Sequence, residues 1–584
     1  MLQSVTHEPF YRVGTWRDEG SGLYVGWTVR KNAFADCMPI SDPGGDWTMI
    51  FSGEDFSAEC AVTNNGQRDF ESVHWAASNL ISNKVRKSTF PADLNGLFHG
   101  LIVEHSKGTV KLFNDRYGMH RLYYHEAGDT FYFAAEAKAI LAVCPATRCV
   151  DAQGMSEYVS CSCVLENRSL FRGIQVLPPG SSWSFRRGIP ERKDFYFASS
   201  DWEALQALEP EAYYQQLRDA VSQIVPRYFK GQERIGLSLT GGLDTRLILA
   251  WQRPEAGTLP CYTFGGEYRD CHDVLIARKV AHACRQTHEV IRVGAEFLEN
   301  FAHYAERTIY LSDGCSGVNR SADLYVNEQA RQIAPIRMTG NYGDEVLRHI
   351  RVFKPTEPAA NVFQPEVNRE IGRAHDTYTD CLRGHPLSFA LFRQAPWHSY
   401  SLLCLEQTQL LVRTPFFDND LVRTLFRAPK SASANNNIRV RLINEGNPNL
   451  GAIQTDLGFC GAKTLSAVSQ RFHALTMKAE YAFDHGMPQQ LAMLDHWLAP
   501  LHPEKLFLGR HKFYHFRIWY RDRLAKYVRE MLLDPLTLSR PYLDKKGVRR
   551  IVEGHLKGNR NYTTEIHKIL TLELVHRLFV DARD

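Results

Sequence analysis

The chain has 584 residues, which is enough for about two to four domains of ordinary size. A hydrophobic content of 44% and a charged content of 23% are ordinary for a globular protein and exclude disorder as the main state. The 69 basic and 65 acidic residues leave a net charge of +4, which is too even for a chain that coats nucleic acid.

Neither a membrane anchor nor a leader segment is predicted. The sequence has no run of about 18 apolar residues, and its first residues lack a basic stretch followed by an apolar one. The thirteen cysteines are scattered and include no Cys-x-x-Cys pair, which is typical of reduced thiols. We therefore expect a cytoplasmic protein without a structural zinc site.

The first 200 residues or so are predicted to form antiparallel sheets. Residues 98–103 and 109–113 are β-rich runs bounded by glycine and by Asp or Asn. Residues 121–125 and 130–134 form a second pair around the turn signal Ala127-Gly128-Asp129.

From about residue 205 strands and helices alternate, which indicates βαβ units and a parallel sheet. Strands are predicted at 234–239, 261–264, 287–293 and 335–339, and helices over 211–229, from Arg246, from Asp273 and over 296–310. Asp273 is expected to cap its helix. The last 120 residues or so are predicted to be mostly helical, with an i, i+4 row of core residues at Ile566, Leu570, Leu574 and Leu578.

The loop from Thr240 to Thr245, after the first parallel strand, is a candidate anion site. Gly241 and Gly242 let backbone N–H groups face an anion where a helix begins. The loop is neither a Gly-Lys-Ser/Thr nucleotide loop nor a GxGxxG fingerprint. Asp244 would repel phosphate unless it holds Mg²⁺, so the sequence favours a metal there. A plain strand-to-helix turn with Asp244 as its cap is the alternative.

A second carboxylate follows a later strand, in the stretch from Gly340 to Glu345. If the sheet is doubly wound, both loops lie at its carboxyl edge, where ligands bind. Asp244 and Asp344 are then predicted to share one Mg²⁺, since two aspartates with phosphates and water satisfy that ion. A solvated helix start is the alternative interpretation of Asp344.

These loops resemble those of the N-type ATP pyrophosphatases, and the whole chain resembles the asparagine synthetase family. Thr240 to Thr245 is similar to the family's Ser-Gly-Gly-x-Asp-Ser, with threonine in place of both serines. Further resemblances are carried, in chain order, by residues 115–118, 134–140, 170–174, 340–345, 413–418 and 572–579.

The resemblance implies an α/β fold in two parts. Residues 1–200 would form a glutaminase-like domain, an αββα antiparallel sandwich of the N-terminal-nucleophile type. Residues 205–584 would form an ATP-pyrophosphatase synthetase domain, with a doubly wound parallel sheet like that of the adenine nucleotide α-hydrolases and a helical C-terminal part.

The resemblance also implies chemistry in which ATP adenylates a carboxylate, pyrophosphate leaves and an amine displaces AMP. ATP and Mg²⁺ are the implied cofactors, and Asp244 and Asp344 the implied magnesium ligands. The pyrophosphate would be held by Thr240, Gly241, Gly242 and Thr245, and the adenosine would be lined by Leu237, Phe264 and Gly340.

The first departure from the family is at position 2, which is Leu where a working glutaminase half has its nucleophilic cysteine. The nearest cysteine, Cys37, is deep in the chain. We therefore expect a structural, inactive glutaminase-like domain, with the amine supplied by a substrate, by free ammonia or by a partner protein. In the β-lactam synthetases and lasso-peptide cyclases, relatives with a degenerate first half, amine and carboxylate belong to one molecule.

The second departure concerns the family's catalytic lysine, which neutralises charge on the adenylate and pyrophosphate. Residues 454–463 do not reproduce the family's Arg-x-Lys-x-Gly-Phe. Lys463 is the candidate replacement, and Arg441 is an alternative to it.

The sequence thus predicts an ATP-dependent, amide-forming ligase of a peptide, secondary-metabolite or polysaccharide pathway, with intramolecular ring closure as one form of the reaction. Its partners would be a small-molecule or peptide carboxylate and amine, with room for a pathway partner protein, but neither nucleic acid nor membrane. One alternative is an asparagine synthase that uses ammonia or a partner glutaminase. The other is a non-catalytic scaffold that kept the fold.

Overall fold

The computed structural model describes residues 1–57, 84–85, 87, 89–359, 361–429, 436–455 and 467–582. Within them the first part of the chain is built from antiparallel strands. The bounds of these strands are β1 Tyr11–Asp18, β2 Leu23–Arg30, β3 Ile40–Ser41, β4 Trp47–Gly53, β5 Phe98–Glu104, β6 Thr109–Asn114, β7 Tyr123–Ala127, β8 Thr130–Ala134, β9 Gln175–Val176, β10 Ser181–Arg186 and β11 Ile189–Phe195.

These strands form three sheets: a six-stranded sheet in the order β11-β10-β6-β5-β4-β3, a three-stranded sheet in the order β8-β7-β9, and the hairpin β1-β2. The six-stranded sheet is buried on both faces. Along its strand β5, Leu101 and Val103 pack into one apolar cluster, and Phe98 and Ile102 pack into another. Alternation along a strand therefore supplies two cores from one sheet.

The second part contains a five-stranded parallel sheet in the order β14-β13-β12-β15-β16. Its strands are β12 Ile235–Ser238, β13 Cys261–Gly265, β14 His288–Arg292, β15 Ile336–Thr339 and β16 Leu411–Arg413. The chain winds outward from β12 through β13 to β14 and then returns to the other side of β12, so the sheet is doubly wound as predicted. The change of direction lies between β12 and β15, where Ser238 pairs with Thr339.

Helices surround the parallel sheet and form the C-terminal part. The α-helices are Ala137–Val143, Ala152–Cys161, Ser199–Glu203, Pro210–Arg227, Asp244–Gln252, His272–Ala283, Ala295–Glu299, Phe301–Ser312, Ser321–Ile333, Gly343–Arg348, Pro365–Cys381, Pro386–Phe389, Tyr400–Gln409, Asn419–Leu425, Asn437–Gly446, Pro448–Gly451, Ala467–His485, Gln489–Leu498, Phe516–Arg521, Ala525–Leu532, Pro535–Leu538, Lys545–Leu556 and Thr563–Val575, with π-helical turns at Ala390–Ser399 and His576–Val580.

The predicted fold class is confirmed, with an antiparallel first part, a parallel sheet in the second and helices toward the C-terminus. Of the predicted row, Ile566, Leu570 and Leu574 are buried, whereas Leu578 is half-buried. One predicted element was wrong: the helix expected over 296–310 is divided into Ala295–Glu299 and Phe301–Ser312, because the backbone of Asn300 leaves the helical conformation at φ −102° and ψ 14°.

The antiparallel part and the helical part share one hydrophobic core. Ile140 and Tyr158 of the first part belong to the same buried cluster as Trp519 and Leu570 of the second. An ion pair of 3.2 Å between Lys138 and Asp313 also crosses this contact. The two parts of the chain are therefore packed against each other.

None of the helices in the described ranges combines the length and the apolar character needed to cross a bilayer.

Candidate functional site

The candidate site lies at the switch point of the parallel sheet, beyond the carboxyl ends of β12 and β15. The loop after β12 carries Thr240 to Thr245, and the loop after β15 carries Gly340 to Glu345. Because the two strands are parallel and in register, both loops leave the same edge of the sheet. Side chains from both loops line a cavity of about 480 Å³.

Two glycines allow the loops to touch. A Cβ atom on Gly343 would lie 2.3 Å from Cγ of Asp244, and one on Gly340 would lie 2.8 Å from the backbone nitrogen of Thr245. Any larger residue would therefore separate the loops. Between these glycines Tyr342 adopts a left-handed backbone with φ 74° and packs its buried ring against Phe417, with 4.7 Å between the ring centroids.

Asp244 and Asp344 are brought together around a guanidinium group. Nη1 of Arg439 lies 2.6 Å from Oδ1 of Asp244 and 2.7 Å from Oδ1 of Asp344. Arg439 belongs to the helix Asn437–Gly446, its side chain is 6% exposed, and it also donates to Asn436. A buried cation thus occupies the point on which the two carboxylates converge.

The site carries more negative charge than Arg439 balances. Burial raises the pKa of Asp244 to about 6, with Arg439 opposing this shift and Asp344 adding to it. Burial also raises the pKa of Glu345, a third carboxyl group on the cavity wall, to about 7, and the two aspartates reinforce that shift. Arg348, at 3.4 Å from Asp344, is a further cation at the rim.

The donor set fits a magnesium ion in its chemistry. Two carboxylate oxygens converge on one position that holds positive charge, and Mg²⁺ prefers such oxygens together with phosphate and water. Across the described ranges, no group of three or more His, Cys, Asp or Glu side chains forms a metal cage. The site therefore suits an ion that arrives with a phosphate ligand rather than one held by protein groups alone.

The loop after β12 has the expected hydroxyl groups, but the backbone N–H groups of both its glycines already have acceptors within the protein. The hydroxyls of Thr240 and Thr245 lie 3.4 Å apart, and the N–H of Gly242 donates to Thr240 Oγ1 over 3.4 Å. The N–H of Gly241 instead donates to Oδ1 of Asp273 over 2.8 Å. Asp273 was wrongly predicted to be a helix cap, because the helix begins at His272 and the carboxylate turns toward the loop.

Only some of the predicted site residues line the cavity. Thr240, Gly242, Asp244, Thr245, Gly340 and Asp344 line the cavity. Leu237 is fully buried in the core under the sheet, and the ring of Phe264 lies against Phe513 and the Arg337 guanidinium; neither is among the lining residues. Lys463 lies outside the described residues. Thr455, before it, lines the cavity, and Arg246 holds this segment by donating to the carbonyls of Gly241 and Gln454.

Arg441, the alternative to Lys463, lies away from the cavity. It makes a two-pronged ion pair with Glu211 and stacks on the ring of Tyr214. Arg439, which was not predicted from the sequence, is instead the arginine of the same helix that contacts Asp244 and Asp344. A signal was present, because Arg439 is in helical phase with the buried Leu442, Ile443 and Gly446, whereas Arg441 is not.

Comparison with known proteins gives two family matches in the same order as the two parts of the fold. The glutamine amidotransferase domain model matches residues 80–196, and the asparagine synthase model matches residues 216–443. The chain is therefore similar to the asparagine synthetase family. The asparagine synthase match includes both loops of the site and Arg439, and it ends before Lys463.

Individual relatives in the asparagine synthetase family are distant. The glutamine-hydrolyzing asparagine synthetase 1 of Bacillus subtilis is 22% identical over 367 residues, which cover 61% of this chain and 56% of that protein. The probable glutamine-hydrolyzing asparagine synthetase of Schizosaccharomyces pombe is 23% identical over 355 residues, which cover 56% of this chain and 54% of that protein. The chain thus spans little more than half the length of these relatives.

Among solved structures, the glutamine phosphoribosylpyrophosphate amidotransferase from B. subtilis covers 46% of this chain and 76% of its own, with 9% identity. Its TM-score is 0.18, a similarity too low to add to the fold described above.

Proposed function

We propose that this protein is an ATP-dependent, AMP-forming ligase that adenylates a carboxylate and joins it to an amine. The observation that carries the proposal is the convergence of Asp244 and Asp344 on one cation position beside an anion-binding loop at the switch point. Similarity to the asparagine synthetase family supports the same chemistry. The bounds 1–200 for a glutaminase-like domain and 205–584 for a synthetase domain are part of this proposal.

In this proposal the loop after β12 binds the phosphates of ATP. The hydroxyls of Thr240 and Thr245 and the N–H of Gly242 donate hydrogen bonds to them, and the start of the helix Asp244–Gln252 faces the same space. Asp244 and Asp344 hold Mg²⁺, which would neutralise charge on the pyrophosphate when bound.

The reaction would proceed in two displacements. A carboxylate oxygen of the substrate attacks the α-phosphorus, and the bond to the β-phosphate oxygen breaks to release pyrophosphate. The amine nitrogen then attacks the acyl carbon, the bond to the AMP oxygen breaks, and the amine loses a proton. Negative charge develops on the leaving group in both steps, on pyrophosphate in the first and on AMP in the second.

Arg439 is the residue best placed to stabilise this charge. Its Nε is buried without a hydrogen-bond partner in the described structure, although its terminal nitrogens bind Asp244, Asp344 and Asn436. Once Asp244 and Asp344 bind a metal ion, the guanidinium is free to donate to a phosphate. We propose that it takes the role for which Lys463 and Arg441 were considered from sequence.

We also propose that the amine does not come from glutamine hydrolysed on this chain. Supporting this, the cavity of about 840 Å³ beside the six-stranded sheet is lined largely by apolar side chains, among them Leu2, Trp16, Trp27 and Leu101. A substrate amine, ammonia or a partner protein would supply the nitrogen. A peptide, secondary-metabolite or polysaccharide pathway is the proposed setting.

The decisive experiment is ATP–pyrophosphate exchange against a library of carboxylic acids, with Mg²⁺ present and absent. We expect exchange with a restricted set of acids, dependent on Mg²⁺, followed by AMP release when the right amine is added. ADP as the nucleotide product, or an exchange rate that is the same with and without Mg²⁺, would contradict the proposal.

A second candidate function is asparagine synthesis, because the relatives named above are asparagine synthetases. Incubation with ATP, aspartate and either ammonia or glutamine decides between the two. Asparagine formed from ammonia would identify the acid as aspartate, and asparagine formed from glutamine would contradict the proposed nitrogen source.

A further inference from the structure

A second cavity, of about 630 Å³, adjoins the candidate site. Val352 and His398 line both cavities, so the two spaces are neighbours with a common wall. The second cavity is also lined by Lys568, Arg351, Lys354, Cys161 and Thr356.

The second cavity is basic, and none of the described residues that line it is acidic. Lys568 extends from the first turns of the helix Thr563–Val575 and is 4% exposed. Its Nζ makes one contact at 3.4 Å, with the hydroxyl of Thr356. Arg351 and Lys354 lie on the exposed segment at the mouth. Within the described part of the chain, none of these three cations forms an ion pair.

The polar groups that line the cavity beside Lys568 do not supply negative charge, and the nearby carboxylate of Glu565 lies outside the lining. Burial raises the pKa of the Cys161 thiol to about 12, and burial lowers the pKa of His398 to about 3, so both groups are neutral near pH 7. Glu565 attracts Lys568 from one turn away, but its carboxylate accepts a hydrogen bond from the N–H of Ala359. Burial lowers the pKa of Lys568 itself.

A buried ammonium group without an anionic partner is costly, and an anion that enters the cavity would remove that cost. Two further cations at the mouth would attract the same ligand over a longer distance. The cavity therefore has the composition of an anion site, and it shares its wall with the proposed adenylation site.

We infer that the second cavity binds an anionic group, carboxylate or phosphate, at the far end of the substrate whose other end is adenylated. This inference rests on the proposed function for the adenylation step, but the anion site itself does not. The substrate class would be carboxylic acids that carry a second, separate anionic group. Lys568 is the central contact, with Arg351 and Lys354 beside it.

The cavity also gives the first part of the chain a role in substrate binding. Cys161 and its neighbours stand at the end of the helix Ala152–Cys161, in the antiparallel part. The N–H and hydroxyl of Thr356 donate to the carbonyl of Ser160 over 3.1 and 3.0 Å, which fixes the segment that carries Arg351 and Lys354. The anion site is thus incomplete without the antiparallel part.

The anion site is tested first with inorganic phosphate, by calorimetric titration of the full chain with and without ATP and Mg²⁺. We expect the Lys568→Gln variant to bind phosphate at least ten-fold more weakly, and the Lys568→Arg variant to bind it nearly as well as the parent. Lys526→Gln is the matched control, because the Lys526 side chain is 87% exposed and, within the described ranges, pairs only with the exposed Glu530, at 3.7 Å. Phosphate binding unchanged by Lys568→Gln overturns the inference.

If Lys568→Gln fails to fold, the double variant Arg351→Gln/Lys354→Gln replaces it, since both side chains are exposed. We expect it to weaken phosphate binding about three-fold or more. An unchanged affinity in this variant also counts against the site.

The substrate class is tested by pyrophosphate exchange with dicarboxylic acids, ω-phosphorylated acids and the matched monoamides and alcohols. We expect exchange only with acids that carry a second anion, and the more active series identifies carboxylate or phosphate. Exchange with the neutral analogues at equal rates overturns the inference and leaves the proposed function intact. Phosphate binding that depends on Lys568, together with no exchange for any acid, would instead contradict the proposed function.

Discussion

Oδ1 of Asp273 accepts a hydrogen bond of 2.8 Å from the backbone N–H of Gly241. This N–H is one of the donors that an anion-binding loop offers to phosphate. A side-chain carboxylate therefore holds a position that the family resemblance assigns to pyrophosphate. The same carboxylate lies on the wall of the cavity, where it adds to the negative charge of Asp244 and Glu345.

Replacing Asp273 by Ala should strengthen ATP binding. The variant frees the Gly241 N–H and removes a negative charge close to the phosphates, so we expect Kd for ATP to fall about three- to ten-fold. Calorimetric titration with ATP and Mg²⁺ measures this. Asp380→Asn, in an exposed ion pair with Arg383, is the control. Weaker ATP binding would show that Asp273 acts as a ligand to the bound cation instead.

Arg439→Gln should have opposite effects on metal binding and on catalysis. Without the competing guanidinium between Asp244 and Asp344, we expect Mg²⁺ alone to bind about ten-fold more tightly. Pyrophosphate exchange should fall by about 10²–10³, the usual effect of losing one preorganised donor to developing charge. Magnesium titration and exchange are measured on the same sample. Unchanged exchange would rule out a role for Arg439 in the reaction.

Arg441→Gln is the matched control for this variant, because Arg441 is on the same helix and faces Glu211 at the surface. It should leave both quantities within about two-fold of the parent values.

Asp344→Asn should remove activity and leave the fold intact. The Asp344 side chain is 45% exposed, so the amide is accommodated without a buried unpaired group. Its loss deprives Mg²⁺ of one of two carboxylate ligands, and we expect exchange to fall at least about 100-fold. The midpoint of urea unfolding should stay the same. A full rate at saturating Mg²⁺ would argue against the two-aspartate site.

Gly343→Ala should destroy the contact between the loops. The new Cβ would lie 2.3 Å from Cγ of Asp244, so the two loops must separate, and we expect loss of exchange with a cost of about 1–3 kcal/mol in stability. Gly372→Ala is the matched control. Nothing lies within 4 Å of its Cβ position, and it is on the exposed side of the helix Pro365–Cys381, so Ala there should stabilise by about 0.5–1 kcal/mol. Chemical unfolding of both variants checks the pair.

Glu54→Gln should destabilise the whole molecule. Glu54 binds Arg413 across the two parts of the chain at 2.6 and 2.9 Å, and both side chains are buried. Leaving Arg413 unpaired should cost about 3–5 kcal/mol, measured by urea unfolding. The double variant Glu54→Gln/Arg413→Met should recover much of this loss, because it removes the uncompensated charge. Separate unfolding of the two parts would contradict the shared core.

The local pattern of apolar and turn residues in the sequence was sufficient to predict the position of most of the following strands. The strands at 98–104, 109–114 and 130–134 lie where alternation and turn residues predicted them, and the parallel strands β12 to β15 lie within one residue of their predicted bounds, whereas β16 was not predicted. The strand expected at 121–125 runs over 123–127, because its register is set by pairing with β8 and β9. Asn300 interrupts a helix that apolar periodicity alone predicts as continuous.

The sequence by itself determined the fold class, the order of the two parts and the two loops that bear Asp244 and Asp344, because these depend on residues close together in the chain. Tertiary structure decided which cations face those acids. Arg439 is nearly 200 positions from Asp244, and its choice over Arg441 depends on which face of one helix is buried. Tertiary structure also decided that Asp273 turns toward Gly241 and that Lys568 meets Cys161 at one cavity, since only long-range packing brings such residues into contact.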